Sequence, residues 1–298
     1  EQKLLNNKSN NIFKVNNTDK SIYVLGISAF YHDSAATLIK DGKIISAAQE
    51  ERFTRIKNDQ NFPKFAINYC LEEAGINPNE LSAVVFYDNG YLSLERIMWS
   101  YVKTAPSSLA SWKKYMPRWL THKFFIPKLI REHLNYTGKI LHNDHHRSHL
   151  ASAFFPSPFK KSAILTIDGV GEWTTASIGI GDRNKLNMLK EISFPNSVGL
   201  LYSAFTQFLG FKVNSGEYKM MGLAPYGKPI YEDLILKNLV NLKEDGSIVI
   251  NQEFFVRNYN VIRVASVHSS SNNLRCITHL GHPDFARLAN SAIDPRIY

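Results

Sequence analysis

The fold of this chain is indicated by residues 22–45, which read IYVLGISAFYHDSAATLIKDGKII. Two short apolar runs, Ile22–Ile27 and Ala35–Ile39, are followed by Asp41-Gly42 and a third apolar pair. Asp-Gly between apolar runs is typical of a two-residue β-hairpin turn. The stretch therefore predicts three consecutive antiparallel strands, with the polar turn Tyr31–Ser34 before the middle one.

The same opening returns in the second half of the chain. Strand composition at Ser162–Ile167 continues through Thr175–Ile180 and reaches a third strand near Met188–Ile192. After the first set, the apolar period becomes helical at Lys64–Ala74 and returns to strand composition at Leu81–Phe86. This internal repeat predicts a duplicated α/β unit with a cleft between two lobes, where ligands usually bind.

Composition excludes several classes of protein. With 298 residues, 44% hydrophobic and 20% charged, the chain can bury a sizeable core and is not disordered by composition. A net charge of +9 favours anionic partners without selecting nucleotides, acidic surfaces or nucleic acid. The two cysteines, Cys70 and Cys276, are too few for a disulfide framework. No apolar run approaches the roughly 18 residues that span a bilayer, so we expect a cytoplasmic protein.

Changes in composition divide the chain into segments. Residues 1–20 hold six Asn and no apolar signal core, so we expect a flexible arm there. The two lobes are expected at about 21–140 and from about 141 to 255. Residues 256–298 show no sustained period and are expected to form a divergent tail.

Residues 91–137 carry three tryptophans, many other aromatics and an excess of Lys and Arg. Such a stretch fits a basic amphipathic face for a membrane surface or for nucleic acid. The interpretation that we favour is a helical insertion whose aromatics pack inward while its basic side chains extend into solvent.

The densest cluster of candidate metal ligands lies at Asp144–His149. If a helix begins near Asp144, His145 and His149 stand one turn apart and project from the same face. Two imidazoles so placed can chelate a transition metal, whereas His146 points elsewhere and is a weaker candidate. The alternative is that these histidines only start a helix and bond to the backbone.

A further candidate ligand, Asp168, directly follows the predicted strand Ser162–Ile167 and precedes Gly169 and Gly171. A strand-end carboxylate followed by two near-adjacent glycines suits metal ligation together with phosphate contact through backbone N–H groups. The alternative is an ordinary hairpin turn in which Asp168 is exposed and inert.

The polar turn at residues 31–34 occupies the corresponding position in the first half and carries His32. Histidine is the side chain best suited to accept a hydroxyl proton near neutral pH, so His32 is a candidate general base. The alternative is an ordinary surface histidine.

Two further features suit a nucleotide. Glycine-rich residues 214–227 place Glu217, Lys219 and Gly222 where the backbone can approach a nucleotide and the charged pair can address ribose and phosphate. The charge run that ends at Lys57 is either a solvated face or a source of positive charge for phosphate.

Five of these blocks recur in one order and spacing in a known family. They are Gly26–Gly42, Gln49–Lys57, His145–Phe159, Asp168–Trp173 and Glu217–Gly227. Together they resemble the carbamoyltransferases of the nodulation-protein-U and cephalosporin O-carbamoyltransferase type, over roughly residues 22–255. The resemblance implies an α/β fold of the actin, sugar-kinase and chaperone-ATPase kind, built from a duplicated ribonuclease-H-like unit.

The resemblance also implies a division of chemistry. In that family a carboxy-terminal domain makes carbamoyl adenylate from carbamoyl phosphate and ATP, and the amino-terminal domain moves the carbamoyl group to an acceptor hydroxyl. It implies iron or another divalent transition metal on His145, His149 and Asp168, with His32 as the base. The positions implied to face the adenylate are Lys57 and the regions of Gly199, Glu217 and Gly222. The further candidates for cofactor binding, taken from the residues themselves, are Asp168, Gly169, Gly171 and Lys219.

The family pattern continues past Phe255 with the rest of the second lobe, a further Asp ligand and the adenylate-forming domain. Because residues 256–298 do not fit that continuation, we expect an incomplete second lobe and no adenylate-forming domain. The expected partners are a nucleotide and a small-molecule hydroxyl acceptor, not nucleic acid, and the acceptor and the oligomeric state stay open. Two alternatives remain, a catalytically incompetent remnant that binds nucleotide or a partner, and a threonylcarbamoyl transferase acting on transfer RNA.

Overall fold

A computed structural model describes residues 21–103, 105–106, 109, 112–113 and 125–252. The predicted arm at 1–20, the predicted tail at 256–298 and most of residues 104–124 of the insertion lie outside the described residues.

The described residues form ten strands and eight α-helices, named here in chain order. The strands are β1 Tyr23–Ser28, β2 Ala35–Lys40, β3 Lys43–Gln49, β4 Ala83–Phe86, β5 Ile140–His142, β6 Lys161–Ile167, β7 Thr174–Asp182, β8 Lys185–Ser193, β9 Val240–Leu242 and β10 Ile248–Ile250. The helices are α1 Glu51–Thr54, α2 Lys64–Ala74, α3 Gly90–Lys103, α4 Ile126–Leu134, α5 His145–Phe154, α6 Val198–Phe208, α7 Glu217–Leu223 and α8 Glu232–Asn238. Short 3-10 turns lie at Pro78–Glu80 and Ala224–Tyr226.

The first lobe is built on a five-stranded sheet in the order β3-β2-β1-β4-β5. Strands β1, β2 and β3 pair antiparallel as predicted, while β4 and β5 add parallel to β1. The hairpin between β2 and β3 turns at Asp41 and Gly42, both at positive φ, as a two-residue Asp-Gly turn requires. Only β2 runs against the other strands, which is the arrangement of a ribonuclease-H-like unit, so the predicted fold class is confirmed.

The core of this lobe lies between the sheet and two helices. Helix α2 has the predicted bounds and packs against β2 and β3. Helix α4 belongs to the predicted insertion and buries Ile126 and Ile130 in the same core. Trp99 on α3 is 52% exposed, so inward packing of the aromatics holds for only part of the insertion.

The second lobe repeats the three-strand opening. Strands β6, β7 and β8 form an antiparallel sheet at the predicted places, and α5 packs on it through Leu150 and Phe154. Helix α6 follows β8. A hydrogen bond of 3.0 Å from the Ile250 N–H to the Asn196 side chain attaches the small β9–β10 hairpin to the loop before α6. The internal repeat is thereby confirmed over three strands.

Among the described helices, none combines the length and the apolar character that crossing a membrane requires.

Candidate metal centre

The two candidate histidine ligands lie at the start of α5. Asp144 has extended backbone angles and is the residue before the helix, so α5 begins at His145 as predicted. This start sets His145 and His149 one turn apart on one face. Their Nε2 atoms lie 3.1 Å from each other, so both rings point at the same place.

Asp168 completes the cluster from the end of β6. Its Oδ2 lies 2.7 Å from the Nε2 of His145 and 3.5 Å from the Nε2 of His149. Its Oδ1 accepts the Gly169 N–H at 2.6 Å. Burial acts to raise the pKa of this carboxyl, but the bonds from the two histidines and from Gly169 outweigh it and hold the pKa well below its usual range. Asp168 is therefore an anion.

The donor set fits a divalent transition metal. The ligand atoms of His145, His149 and Asp168 all lie within 4.8 Å of one another, and no other such cluster occurs among the described residues. Ligands at about 2.1 Å from a common ion, in neighbouring octahedral positions, are separated by about 3.0 Å, and the three observed separations bracket that value. Two imidazoles and one carboxylate are the facial triad that binds iron(II) with open positions.

His146 is confirmed as pointing away from this cluster. It is 1% exposed, and its Nδ1 lies 2.8 Å from the hydroxyl oxygen of Thr166 on β6. Burial lowers the pKa of His146 to about 4, so the ring is neutral at physiological pH. Its role is to fasten α5 to the sheet.

A buried carboxylate, Glu172, sets the position of His145. It is 5% exposed, and its two oxygens accept the His145 N–H at 3.0 and 3.1 Å, while one of them also accepts the Asn89 N–H at 2.8 Å. Burial raises the pKa of Glu172, although these N–H donors act to lower it. Because Asn89 belongs to the first lobe, Glu172 joins the two lobes beside the candidate ligand His145. The sequence offered no signal for this role, since the contact with Asn89 spans 83 residues.

Replacing Glu172 should therefore loosen the first turn of α5. We expect Glu172→Ala to lower the free energy of unfolding by about 1–3 kcal/mol for each N–H left without an acceptor, measured by urea denaturation. Glu172→Gln should lose less, because one amide oxygen can still accept from both donors. Glu191→Ala, which removes an exposed carboxylate bonded to Thr174, should change stability by less than about 0.5 kcal/mol. Equal losses for Glu172→Ala and Glu191→Ala would contradict the role assigned to Glu172.

The glycines around Asp168 allow close packing of the ligands. A Cβ on Gly171 would lie 2.9 Å from the Cβ of His145. A Cβ on Gly199, in the first turn of α6, would lie 2.6 Å from the carbonyl carbon of Asp168 and 2.7 Å from the Gly169 nitrogen. Only glycine fits at either place without displacing His145 or Asp168.

The predicted phosphate contact of the two turn glycines stays a prediction. The Gly169 N–H donates to the Asp168 carboxylate, and the Gly171 N–H donates to the Thr174 carbonyl at 3.0 Å. Both groups are thus engaged within the turn.

Ser197 was not among the predicted site residues, yet it fixes the turn that carries Asp168. Its hydroxyl accepts the Leu200 N–H at 3.0 Å as the cap of α6 and donates to the Gly169 carbonyl at 2.6 Å. A serine before an apolar run is a typical helix-start signal in a sequence. The contact of Ser197 with Gly169 could not be predicted from sequence, because the two residues are 28 positions apart.

The predicted base, His32, lies on the loop between β1 and β2. Its side chain is 45% exposed and is bonded to Asp33. The neighbouring Tyr31 packs against its ring at 4.6 Å between centroids. Desolvation of the Tyr31 hydroxyl and the negative charge of Asp168 raise the pKa of this hydroxyl.

Two of the predicted nucleotide residues, Lys57 and Glu217, lie at or near the start of α7. The Lys57 ammonium of the first lobe lies 5.6 Å from the centre of the Tyr218 ring. The Glu217 carboxylate accepts the backbone N–H groups of Asn214 and Gly216, at 2.9 and 3.2 Å, so it shapes its own loop. Binding of a nucleotide by Lys57, Glu217, Lys219 or Gly222 stays a prediction.

Comparison with known proteins gives one strong match and several partial ones. Residues 23–276 match the family described as Carbamoyltransferase N-terminus. An uncharacterized protein of Synechocystis sp. is 52% identical over 241 residues, which cover 78% of this chain and 39% of that protein. Nodulation protein NolNO of Sinorhizobium fredii is 33% identical over 222 residues, which cover 74% of this chain and 31% of that protein. The matched part of the chain thus spans less than two fifths of the length of these relatives.

Among solved structures, component A of (R)-2-hydroxyglutaryl-CoA dehydratase from Acidaminococcus fermentans shows 15% sequence identity and a TM-score of 0.33, with 72% of each chain covered. A likeness of this size bears neither on the fold nor on the function.

Proposed function

Because the chain belongs to the carbamoyltransferase family, whose amino-terminal domain matches residues 23–276, we propose that it transfers a carbamoyl group to a hydroxyl of a small-molecule acceptor. The donor is carbamoyl adenylate, which is made from carbamoyl phosphate and ATP. The proposed site is the cleft between the lobes, where Glu172 of the second lobe bonds to Asn89 of the first.

The observation that carries this proposal is the convergence of His145, His149 and Asp168 on one point. We propose that they hold iron(II) or another divalent transition metal, because two imidazoles and a carboxylate suit those ions. Such an ion polarises a carbonyl oxygen and stabilises the negative charge that develops there during acyl transfer.

The protein's own side chains would perform the proton transfer and hold the donor. His32 accepts the proton of the acceptor hydroxyl, and the acceptor oxygen forms a bond to the carbamoyl carbon. The bond between that carbon and the phosphate oxygen breaks, and AMP leaves with the electron pair. The exposure of His32 allows an acceptor to reach it from solvent. Lys57, beside Tyr218, supplies positive charge for the phosphate.

The test uses preformed carbamoyl adenylate as donor and glycerol as a generic hydroxyl acceptor. We expect the chain, loaded with iron(II), to release AMP faster when glycerol is present. His32→Asn should slow this release about 100-fold or more, the usual contribution of a general base, while metal content stays the same. AMP is measured by chromatography, and bound metal by elemental analysis.

Two results would count against the proposal in different ways. Unchanged AMP release by His32→Asn would remove His32 from the mechanism. No glycerol-dependent AMP release by the metal-loaded chain would contradict transfer by this chain.

A further inference from the structure

The loop that carries His32, residues 30–34, adopts a costly backbone conformation. Phe30 has a φ of 70° and Asp33 a φ of 51°, in the left-handed region that residues other than glycine seldom occupy. Such conformations persist where surrounding contacts impose them, and they cluster at functional sites. The contacts that brace this loop are the Phe30 N–H to the Gln60 carbonyl and the Ser34 N–H to the Asp59 carbonyl, both at 2.8 Å.

The left-handed backbone at Asp33 directs its carboxylate to two partners. Its Oδ2 lies 2.7 Å from the Nδ1 of His32. Its Oδ1 accepts a hydrogen bond of 2.8 Å from the side-chain amide of Asn58. Asn58 is itself held, since its backbone N–H donates to the Glu51 carboxylate at 2.9 Å. The carboxylate is thus clamped between the His32 ring and the side-chain amide of Asn58, whose backbone is held by Glu51.

This clamp decides where the histidine proton lies. A carboxylate only accepts hydrogen bonds, so the Nδ1 of His32 must carry the proton in the bond to Asp33. In the neutral ring the lone pair then lies on Nε2, on the side away from Asp33. A base can use only the nitrogen that carries the lone pair.

We propose that Asp33 is a positioning residue, which fixes His32 in the tautomer with its proton on Nδ1 and leaves Nε2 free to accept a proton. The functional meaning of this tautomer rests on the proposed role of His32 as the base. Exposed ion pairs contribute little to stability, and these side chains are 45% and 32% exposed. The clamp therefore acts on the geometry of the ring more than on the stability of the fold.

The substitution Asp33→Asn should invert the tautomer. Asparagine tolerates the left-handed backbone at this position, so the loop should keep its conformation. Asn58 donates from its amide nitrogen, so the new side-chain oxygen should face Asn58 and the new NH2 group should face His32. The Nδ1 of His32 must then accept, and its proton moves to Nε2. The same substitution in a Ser-His-Asp triad imposes the wrong tautomer in this way.

The experiment is NMR on the metal-free chain with 15N-labelled histidine, at a pH where the ring is neutral. The His32 signals are assigned by their absence from His32→Asn. We expect an unprotonated Nε2 in the wild type and a protonated Nε2 in Asp33→Asn. Asp182→Asn, which removes an exposed carboxylate of the second sheet, should leave the tautomer of His32 unchanged.

A protonated Nε2 in the wild type, or an unchanged tautomer in Asp33→Asn, would overturn the proposal. Asp33→Gly provides a second variant, which keeps the left-handed backbone, removes the acceptor and should give a mixture of the two tautomers; a single unchanged tautomer there would show that Asp33 does not set it. Because this readout needs neither metal nor transfer, failure of the proposed function would leave it intact and would be recognised separately.

Discussion

The double variant His145→Ala, His149→Ala is expected to lose its bound divalent metal, from about one ion per chain to almost none. Asp168 would remain as the single protein ligand at a site where three ligand atoms now lie within 4.8 Å. One carboxylate and solvent cannot retain a transition metal through dialysis. Either single variant should bind more weakly than the wild type and more tightly than the double variant.

The fold should survive this change, because neither truncation removes a backbone contact. The His145 N–H would still donate to Glu172, and the buried residues Leu150 and Phe154 would still hold α5 on the sheet. The measurement is elemental analysis after loading with iron(II) and dialysis, with circular dichroism as a check of folding. His32→Asn is the matched control, since it removes an imidazole outside the cluster. Undiminished metal in a folded double variant would refute the ligand assignment.

The second large effect is expected for Gly199→Ala. The new Cβ would lie within 2.6 Å of the Asp168 carbonyl carbon, and the neighbouring atoms belong to backbone that cannot rotate away. Either α6 or the turn that carries Asp168 must move. We expect a loss of about 1–3 kcal/mol in the free energy of unfolding, and weaker metal binding because Asp168 shifts from the two histidines.

Gly222→Ala is the matched control, because Gly222 is also helical, within α7, and its added Cβ would meet nothing within 4 Å. Alanine is the better helix former, so this change should be neutral or should stabilise the chain by up to about 1 kcal/mol. Both variants are compared by urea denaturation and by metal content. If Gly199→Ala matched Gly222→Ala in both measurements, the close approach of α6 to Asp168 would be contradicted.

Sequence reasoning accounted for the features that depend on neighbours in the chain. The Asp-Gly turn between β2 and β3 and the bounds of α2 follow from turn chemistry and apolar period. The spacing of His145 and His149 follows from the start of α5 after Asp144, because helical geometry places residues four apart on one face. Asp168 was predicted as a candidate ligand because it directly follows an apolar strand.

Sequence patterns did not predict the roles of residues that depend on contact between distant segments of the chain. The sequence predicted phosphate contact for Gly171, and the resemblance implied that Gly199 faces the adenylate. Neither indicated that a Cβ on Gly171 would strike His145 or that one on Gly199 would strike Asp168. No sequence pattern singled out Glu172, and the structure makes it an acceptor for donors 27 and 83 residues away.

By itself, then, the sequence determined the three-strand opening, its repeat in the second half, and the positions of His145, His149 and Asp168 on their elements. Each of these is set by local periodicity, turn chemistry or spacing along one element. Only the tertiary structure decided how those ligands are held. The packing of α6 against the Asp168 turn, the buried Glu172 carboxylate beneath His145 and the clamp on Asp33 all arise where separate segments meet. Such contacts depend on the three-dimensional path of the chain, and no pattern of neighbouring residues encodes them.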